Sequence, residues 1–449
     1  MILLPDDVKM IIDRLQKNGH EAYAVGGCIR DSLLGIDPKD YDICTSALPN
    51  ETIGCFSDFR IIETGLKHGT VTVMVNGVGY EITTFRKDGK YSDYRHPDGV
   101  SFTSSICEDL RRRDFTVNAI AYNDYSGLID PFDGSLDIEK HIIRAVGNPD
   151  ERFNEDSLRI LRCLRFAAVY GFEIDEYTAI SAHKLKDKLS YVSAERIKSE
   201  LDKLICGIKC TQIMRDFSDV LSVFIPEIGT IVGYDQHTPY HYYNLWEHTL
   251  HTIDNIDSDL TLRYTMLFHD LGKPAVRTTD SNGQCHYKKH AAAGVKITEP
   301  ILKRLKFEKR MSEDILYLIS SHMDDPPHDR ISTRKFICRH GIKKSGMLLK
   351  VMLADNLSKM PPNVVDERAE EIKKVCEIYN DILQKGECCL ISDLAVSGDD
   401  LISIGVPSGR RVGEILAELL KAVIEEKAEN NSHALIEYVQ KNIKFRKNT

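Results

Sequence analysis

No run of apolar residues in this 449-residue chain is long enough to cross a bilayer, and Met1 to Pro5 lacks a basic stretch leading into a signal core. These absences exclude a membrane-spanning role, and a cytoplasmic protein with no membrane partner is expected. The twelve cysteines include no C-x-x-C pair, and Cys388 and Cys389 are adjacent. That pattern supports neither a disulfide framework nor a zinc knuckle, so reduced thiols are expected. Positive charge is also in short supply. A net charge of −9 excludes a surface coated in basic groups for indiscriminate nucleic-acid binding, so any RNA contact must use local basic stripes. The length exceeds one ordinary core and implies three or four domains or subdomains.

What is present begins with Tyr23 to Asp42, YAVGGCIRDSLLGIDPKDYD. Tyr23 to Val25 reads as a buried strand, Gly26-Gly27 as a tight turn, Cys28 to Leu34 as a short helix stopped by Gly35, and Tyr41 as the start of a second strand. Glycines at a strand-to-helix turn let backbone N–H groups approach an anion, and Arg30 one turn later can reach a phosphate, with Asp31 to orient it. Asp40 and Asp42 alternate, so both carboxylates leave one face. Two carboxylates that close repel unless a cation lies between them, and hard oxygen ligands beside phosphates favour Mg2+. This is the layout of a two-metal phosphoryl-transfer site. Gly-Gly or Asp-x-Asp alone would fit a nucleotide-free turn with surface acids. The combination around Arg30 favours the catalytic reading.

GGCIRD followed by DYD resembles the signature of class II tRNA nucleotidyltransferases and their bacterial poly(A) polymerase relatives. Around it, Val8, Ile11, Ile12 and Leu15 give an amphipathic helix over Pro5 to Asn18, and Thr70 to Val75 with Tyr80 to Phe85 read as strands joined by an Asn76-Gly77 hairpin. Glu81 on the second strand is a candidate third carboxylate, with an exposed strand acid as the plainer reading. Lys87 to Val100 is polar and turn-rich, and reads as a mobile loop or lid. Ser105 and Glu108 form a capping-box pattern opening a helix into DLRRRDFTVNAIA. Arg112 to Ala119 matches the family's R-R-D-F-T-x-N-A block. The resemblance implies that Arg113 binds the triphosphate, that Asp114 lies close to the ribose hydroxyls and that Asn118 is a structural hydrogen-bonder.

From Glu151 the pattern turns helical, with Asn154 placed to cap a helix running to Tyr170 and Gly171 to end it. Asp156, Arg159, Arg162 and Arg165 recur every third residue, so Asp156 and Arg159 can act together while Arg165 faces elsewhere. A solvated salt-bridge ladder is the plainer reading. Cytosine and adenine both present an amino donor beside a ring-nitrogen acceptor. A carboxylate accepts from the first and a guanidinium donates to the second, whereas uracil and guanine leave both charges facing the wrong partners. Glu155 to Arg159 matches the family's E-D-x-x-R motif, which implies that Asp156 and Arg159 select C and A without a template. Arg162 and Arg165 match further nucleotide-contact positions, and Ser193 to Cys206 matches a segment that supports the neck.

A second constellation follows. Trp246-Glu247-His248, LFHDLGK at Leu267 to Lys273, and Asp355 resemble the HD phosphohydrolase superfamily. His248, His269, Asp270 and Asp355 offer a mixed nitrogen and oxygen site for a divalent metal of unspecified identity, which can polarise a phosphate and activate water. His290 and His322 are candidates for a second ion, against the plainer reading of packed histidines. Beyond Pro361, helices are expected over Val364 to Leu383 and Val412 to Glu425, and Arg410, Arg411 and the closing KNIKFRK are candidate RNA-backbone contacts.

The expected fold is α+β: a nucleotidyltransferase head with a mixed sheet (1–145), then an all-helical neck for nucleotide selection (146–215), an HD metal-binding domain (216–360) and a helical tail for tRNA contact (361–449). The resemblance implies that the 3′-hydroxyl of a tRNA attacks the α-phosphate of CTP or ATP and releases pyrophosphate, with Gly26, Gly27, Arg30 and Arg113 at the nucleotide and Asp40 and Asp42 holding Mg2+. The rivals are an enzyme of the same fold that adds only adenosines, and a metal-dependent phosphohydrolase whose head merely binds nucleotide.

Overall fold

Val71, Val73 and Val75 alternate with Thr70, Thr72 and Met74, and this period of two builds a half-buried strand near one edge of the first sheet. The computed structural model describes residues 2–89, 99–239, 241–360 and 367–443. They divide between two compact units, Met1–Gly229 with Arg304–Lys306, and Thr230–Lys303 with Phe307–Thr449. Among the described residues no helix is long and apolar enough to cross a membrane.

In the first unit, α1 (Asp6–Lys17) buries Val8, Ile11, Ile12 and Leu15, the stripe its sequence spacing predicts. Seven strands then form one sheet: β1 (Ala22–Val25), β2 (Ile43–Thr45), β3 (Arg60–Ile62), β4 (Thr70–Val75) and β5 (Val78–Thr84), with β8 (Ala121–Asn123) and β9 (Gly127–Ile129) added later. Their order is β3-β4-β5-β2-β1-β8-β9, and the sheet is mixed because β2 and β5 run parallel while the other pairs are antiparallel. Asn76 and Gly77 both take positive φ, 50° and 84°, the geometry that joins β4 to β5 with the right twist. The hairpin β6 (Arg86–Asp88) with β7 (Val100–Phe102) frames the expected lid, most of which lies outside the described residues.

Helices α2 (Gly27–Leu33), α3 (Pro49–Cys55), α4 (Ile106–Arg111) and α5 (Gly134–Glu139) complete the head. The helix expected through the arginine run stops at Arg111, and a 3-10 turn takes Thr116–Asn118. Then come α6 (Pro149–Glu155), α7 (Leu158–Tyr170), α8 (Glu176–Leu185), α9 (Ala194–Ile205), α10 (Cys210–Asp216) and α11 (Ser218–Leu221). Asn148 caps α6, and Gly171 at φ 72° ends α7. The single helix expected from Asn154 to Tyr170 is two helices, because Asp156 is extended (φ −135°, ψ 105°) and its carboxylate takes the Leu158 N–H. Residues 146–215 belong to the same unit as the head, and Phe115 meets Phe166 of α7 edge-on at 5.7 Å.

The second unit is helical: α12 (Leu245–Asp254), α13 (Leu260–Phe268), α14 (Lys273–Val276), α15 (His290–Arg304), α16 (Lys309–Ser321), α17 (Arg330–His340), α18 (Ile342–Leu357), α19 (Glu367–Gln384), α20 (Gly398–Ser403), α21 (Arg410–Ile424) and α22 (Ser432–Asn442). Ile337, Ile382 and Cys389 share one core cluster across the expected boundary at 360. A second cluster, with Leu401, Ile415, Leu419, Leu435 and Val439, packs the last three helices. In the expected RNA-contact tail, Arg410 and Arg411 both pair with Glu414, and residues 444–449 lie outside the described residues.

Candidate active site and metal centre

Gly26 takes φ 80° between β1 and α2, a conformation that costs any residue with a Cβ. A Cβ there would also lie 2.8 Å from Nη1 of Arg113. The backbone demands the glycine, and any Cβ there would also push the guanidinium end of Arg113 aside. Gly27 opens α2 beside it, with the Arg30 guanidinium 3.5 Å from where its Cβ would be.

Asp40 and Asp42 precede β2, which begins at Ile43 and not at Tyr41. The backbone at Asp42 is nonetheless tied to the sheet, since its carbonyl accepts from Val25 N at 3.0 Å. The parallel register pairs Ile43 with Ile82, so one residue back it sets Asp42 beside Glu81 on the same face. The electrostatics agree. The surrounding protein partly desolvates the carboxylate of Asp42, although the residue is exposed, and raises its pKa; Arg113 opposes the rise, and Asp40 and Glu81 add to it. Asp40 and Glu81 are close enough to act on Asp42 through their charge, and oxygen donors of this kind suit a divalent cation.

Asp109, 1% exposed, braces the arginines behind this face: its Oδ1 accepts from Arg112 Nε and Nη2 at 2.9 and 2.8 Å, and its Oδ2 lies 3.5 Å from Arg113 Nη2. Arg113 Nε is buried without a hydrogen-bond partner. Arg30 is placed differently from the expectation of a phosphate grip. It is buried, donates to Asp31 through Nε and Nη2 and to Asn118 through Nη1, and lies 4.6 Å from the Tyr170 ring centroid. Tyr170 in turn donates to Asp31 at 3.0 Å, so Arg30 ties α2 to α7.

Asp114 is buried too. It accepts from Arg162 Nε and Nη2, from Asn118 Nδ2 and from Phe115 N. Burial alone would raise its pKa, but Arg162, Asn118 and Arg159 outweigh burial and hold it well below the carboxylate range. Its carboxylate thus anchors Arg162 from the far side. Asp156 and Arg159, expected to act as a pair, flank the start of α7 without bonding to each other. Asp156 Oδ1 accepts from Leu158 N at 3.1 Å and Oδ2 from Arg196 Nη2 at 2.9 Å. Arg159 donates to Glu155 Oε2 at 2.7 Å and to the carbonyls of Arg152 and Arg112. Arg165 donates to Glu200 Oε2 at 2.7 Å, and Arg162 approaches the same carboxylate at 4.0 Å. The sequence motifs do not point to Asp109, whereas Arg196 and Glu200 fall in the Ser193 to Cys206 segment expected to support the neck. The spacing of Arg196 and Glu200, four apart on α9, is the available signal that one helix face serves α7.

In the second unit, His248 comes from α12, His269 and Asp270 follow α13, His290 starts α15, His322 ends α16 and Asp355 lies on α18. The ligand atoms of His248, His269, Asp270 and Asp355 lie within 4.8 Å of one another, as do those of Asp270, His290 and His322. The reason is local. His269, His290 and His322 each place Nδ1 on the carbonyl three residues back, Met266, Tyr287 and Ile319, at 2.7, 2.8 and 2.7 Å, and His248 Nδ1 lies on the Ser358 carbonyl at 3.1 Å. A carbonyl can only accept, so in the neutral rings each Nδ1 carries the proton and each Nε2 lone pair faces inward. The result is a buried knot of acceptors. His290 Nε2 lies 3.1 Å from His322 Nε2, and His269 Nε2 lies 3.1 Å from Asp270 Oδ2. Four imidazole nitrogens and two carboxylates fit cations. The adjoining cavity, about 350 Å³, is lined by Lys273, Lys288, Lys289 and Lys359. Lys273 Nζ lies 2.7 Å from Asp270 Oδ2, and Lys359 Nζ 3.1 Å from Asp355 Oδ2.

Residues 22–144 match the family model described as the poly A polymerase head domain, 171–228 that of a probable RNA and SrmB-binding site of polymerase A, and 295–439 that of a putative tRNA nucleotidyltransferase domain 2. The CCA-adding enzyme of Limosilactobacillus reuteri is 44% identical over 212 residues, 47% of this chain; the chain spans about half of that relative, 52%. A crystal structure of the Bacillus stearothermophilus CCA-adding enzyme in complex with CTP is similar at a TM-score of 0.67 and 27% identity, covering 98% of each chain. The Thermotoga maritima CCA-adding enzyme complexed with tRNA shares the fold at a TM-score of 0.62 and 18% identity, covering 98% of this chain and 96% of that one. Along nearly its whole length the chain is 32% identical to the CCA-adding enzyme of Geobacillus stearothermophilus, covering 95% of this chain and 94% of the relative. With that extent of likeness, the chain belongs to the family of CCA-adding enzymes.

Proposed function

We propose that this protein adds C and A nucleotides to the 3′ end of tRNA in the cytoplasm, using CTP and ATP and releasing pyrophosphate. The observation that carries the reading is the register of β2 on β5, which brings Asp42 and Glu81 to one face opposite the Arg113 guanidinium. Asp40 and Asp42 would hold Mg2+ there, with Glu81 as a third acid. Bound there, Mg2+ neutralises phosphate charge and eases deprotonation of the attacking hydroxyl. Arg113, lying over Gly26, orients the triphosphate. Asp156 accepts from the amino group of cytosine or adenine while Arg159 donates to the ring nitrogen. Asp114 keeps Arg162, and Glu200 keeps Arg165, in fixed positions along α7. The test is incubation of the purified protein with tRNA lacking its 3′ end plus CTP alone, ATP alone or both, followed by sequencing of the products. C incorporation from CTP alone supports the reading; A tracts without C would replace it with the A-only rival.

The inward-facing imidazoles favour a second activity in the same chain. His248, His269, Asp270 and Asp355 would hold a divalent metal, with His290 and His322 placed beside Asp270 for another. Such a centre polarises a phosphate ester and activates water. The lysine-lined cavity suits an anionic ester. Metal content of the purified protein, and its loss in His269→Ala, test this directly.

A further inference from the structure

A cavity of about 630 Å³ in the second unit shares no residue with either candidate centre, and nucleotide addition makes no use of it. Two helices and a short segment build it. Lys335, Cys338 and Arg339, three and four apart, share one face of α17, while Ala417, Leu420, Lys421 and Ile424 share one face of α21. Leu390 and Ile391 make the third wall. Arg334, 6% exposed, sets the spacing from behind: it donates to the Cys388 carbonyl through Nε and Nη2 at 3.2 and 2.8 Å, and to the Ile424 carbonyl through Nη1 at 3.5 Å. Lys335 reaches Glu425 at 2.7 Å, a second tie between α17 and the end of α21. The cavity is therefore formed before any ligand arrives, and its volume falls in the range of roughly 300–1,000 Å³ typical of small-molecule sites.

Its lining divides into two kinds of surface. Leu420 and Ile424, 4% and 3% exposed, join Ala417, Leu390 and Ile391 in an aliphatic floor. Beside it stand three cations and one acid. Glu425 is already claimed, by Lys335 at 2.7 Å and by Lys427 at 2.6 Å. Among the described residues Arg339 and Lys421 have no acidic partner, which leaves one uncompensated cation on each helix next to apolar surface. No aromatic ring lines the cavity, so it offers nothing on which a nucleobase stacks. We propose that this cavity binds a long-chain fatty acid in its carboxylate form, with the alkyl chain on Leu420, Ile424 and Ile391 and the carboxylate between Arg339 and Lys421. The chain is driven in by the apolar area it covers, and the head group is held by charge-assisted hydrogen bonds. A neutral lipid would leave both cations unanswered. An RNA backbone would answer them and leave the aliphatic floor bare.

The test uses the full-length protein and dodecanoate. Cys338 lines the cavity and is exposed, and Cys107 in the first unit is the other exposed cysteine, so maleimide modification reads occupancy at one thiol against a reference in the same molecule. Dodecanoate is expected to slow modification of Cys338 at least tenfold and to leave Cys107 unchanged. In titration calorimetry, octanoate, four methylenes shorter, is expected to bind about a hundredfold more weakly than dodecanoate. The double variant Arg339→Ala, Lys421→Ala, at two exposed positions, is expected to bind dodecanoate about tenfold more weakly while its weaker affinity for dodecanol stays at the wild-type value. Ala417→Trp, also at an exposed position, fills the cavity and is expected to abolish protection of Cys338. The proposal is overturned if dodecanoate leaves Cys338 fully reactive, if it slows both thiols alike, if dodecanol protects as well as dodecanoate, or if removing the two cations leaves the affinity unchanged. Protection by tRNA and not by dodecanoate would replace it with a nucleic-acid surface. Protection that grows with protein concentration alone would replace it with a contact between copies of this chain.

Discussion

The two candidate centres solve the problem of gathering negative groups in opposite ways. In the head, Asp40 and Asp42 are exposed and precede a strand of the sheet, and the Arg113 guanidinium acts on Asp42. In the second unit, Asp270 and Asp355 are buried, and His248, His269, His290 and His322 each rest Nδ1 on a carbonyl so that Nε2 faces inward. The first is an open site whose charge balance is completed by what binds to it. The second is built before anything binds, at the expense of two buried acids held by lysines and histidines. A site that turns over large, changing substrates stays open and tolerates repulsion. A site that keeps a resident ion is closed and rigid.

The largest effect that would break this comparison is Asp42→Asn. Nucleotide addition should fall roughly a thousandfold or more, on the scale of losing a preorganised electrostatic partner. Stability should not fall with it. The Asp42 pKa is raised in the fold, so its charged form is disfavoured there, and above the unfolded pKa the wild-type carboxylate costs stability that Asn does not. A melting curve in which Asp42→Asn loses several degrees would show that the open site is held together by that acid after all.

Asp270→Asn is the converse. It removes a ligand shared by both metal groups and leaves Lys273 buried, 4% exposed, without its ion partner. Breaking a buried pair in this way costs about 3 kcal/mol, so Tm should drop and bound metal should disappear. Nucleotide addition per folded molecule should stay near wild type, as measured after correcting for the active fraction. Equal loss of both activities would mean that the two centres are one system.

A smaller effect separates buried acids from exposed ones by pH. The Asp114 pKa is depressed in the fold, so its contribution is full above the unfolded value of about 3.9 and disappears as pH falls toward the lower folded value. Urea titrations of wild type and Asp114→Asn should differ most at neutral pH and draw together only as pH falls well below the unfolded value of about 3.9. A constant gap down to acid pH would place the effect in packing and not in the ion pair with Arg162.

These contrasts explain what can be read from sequence. The strand pattern of β4 and β5 and the Asn76-Gly77 turn are local, and they are legible. So are the candidate ligands, because His269-Asp270 and Asp40/Asp42 are short-range signatures. The break at Asp156 is not. It arises because a side-chain carboxylate competes with a carbonyl for the Leu158 N–H, a contest that helical periodicity does not register. Arg30 reads as a phosphate group because it follows the glycines, yet Asn118, distant in sequence, and Asp31 claim its nitrogens. The partners of Asp109, Arg196 and Glu200 stay invisible, even where a supporting segment is expected at Ser193 to Cys206, because they depend on which helix packs on which. Side chains that act on bound groups are legible from composition and spacing. Side chains that act on other side chains are not.

The smallest effect tests whether the open site borrows rigidity from the sheet beneath it. Gly77 has φ 84° in the β4–β5 turn, and a Cβ there would meet nothing within 4 Å, so Gly77→Ala adds strain without a clash. The expected cost is about 1 kcal/mol of stability. The register from Val75↔Val78 to Thr70↔Thr83 is fixed by many pairs besides the turn, so Glu81 should keep its place beside Asp42. Nucleotide addition per folded molecule should then be unchanged while Tm falls by a few degrees, a shift typical of about 1 kcal/mol. A drop in kcat as large as the stability loss would mean that the hairpin tunes the carboxylate face directly, and the contrast between a yielding head site and a rigid second centre would have to be drawn inside the head itself.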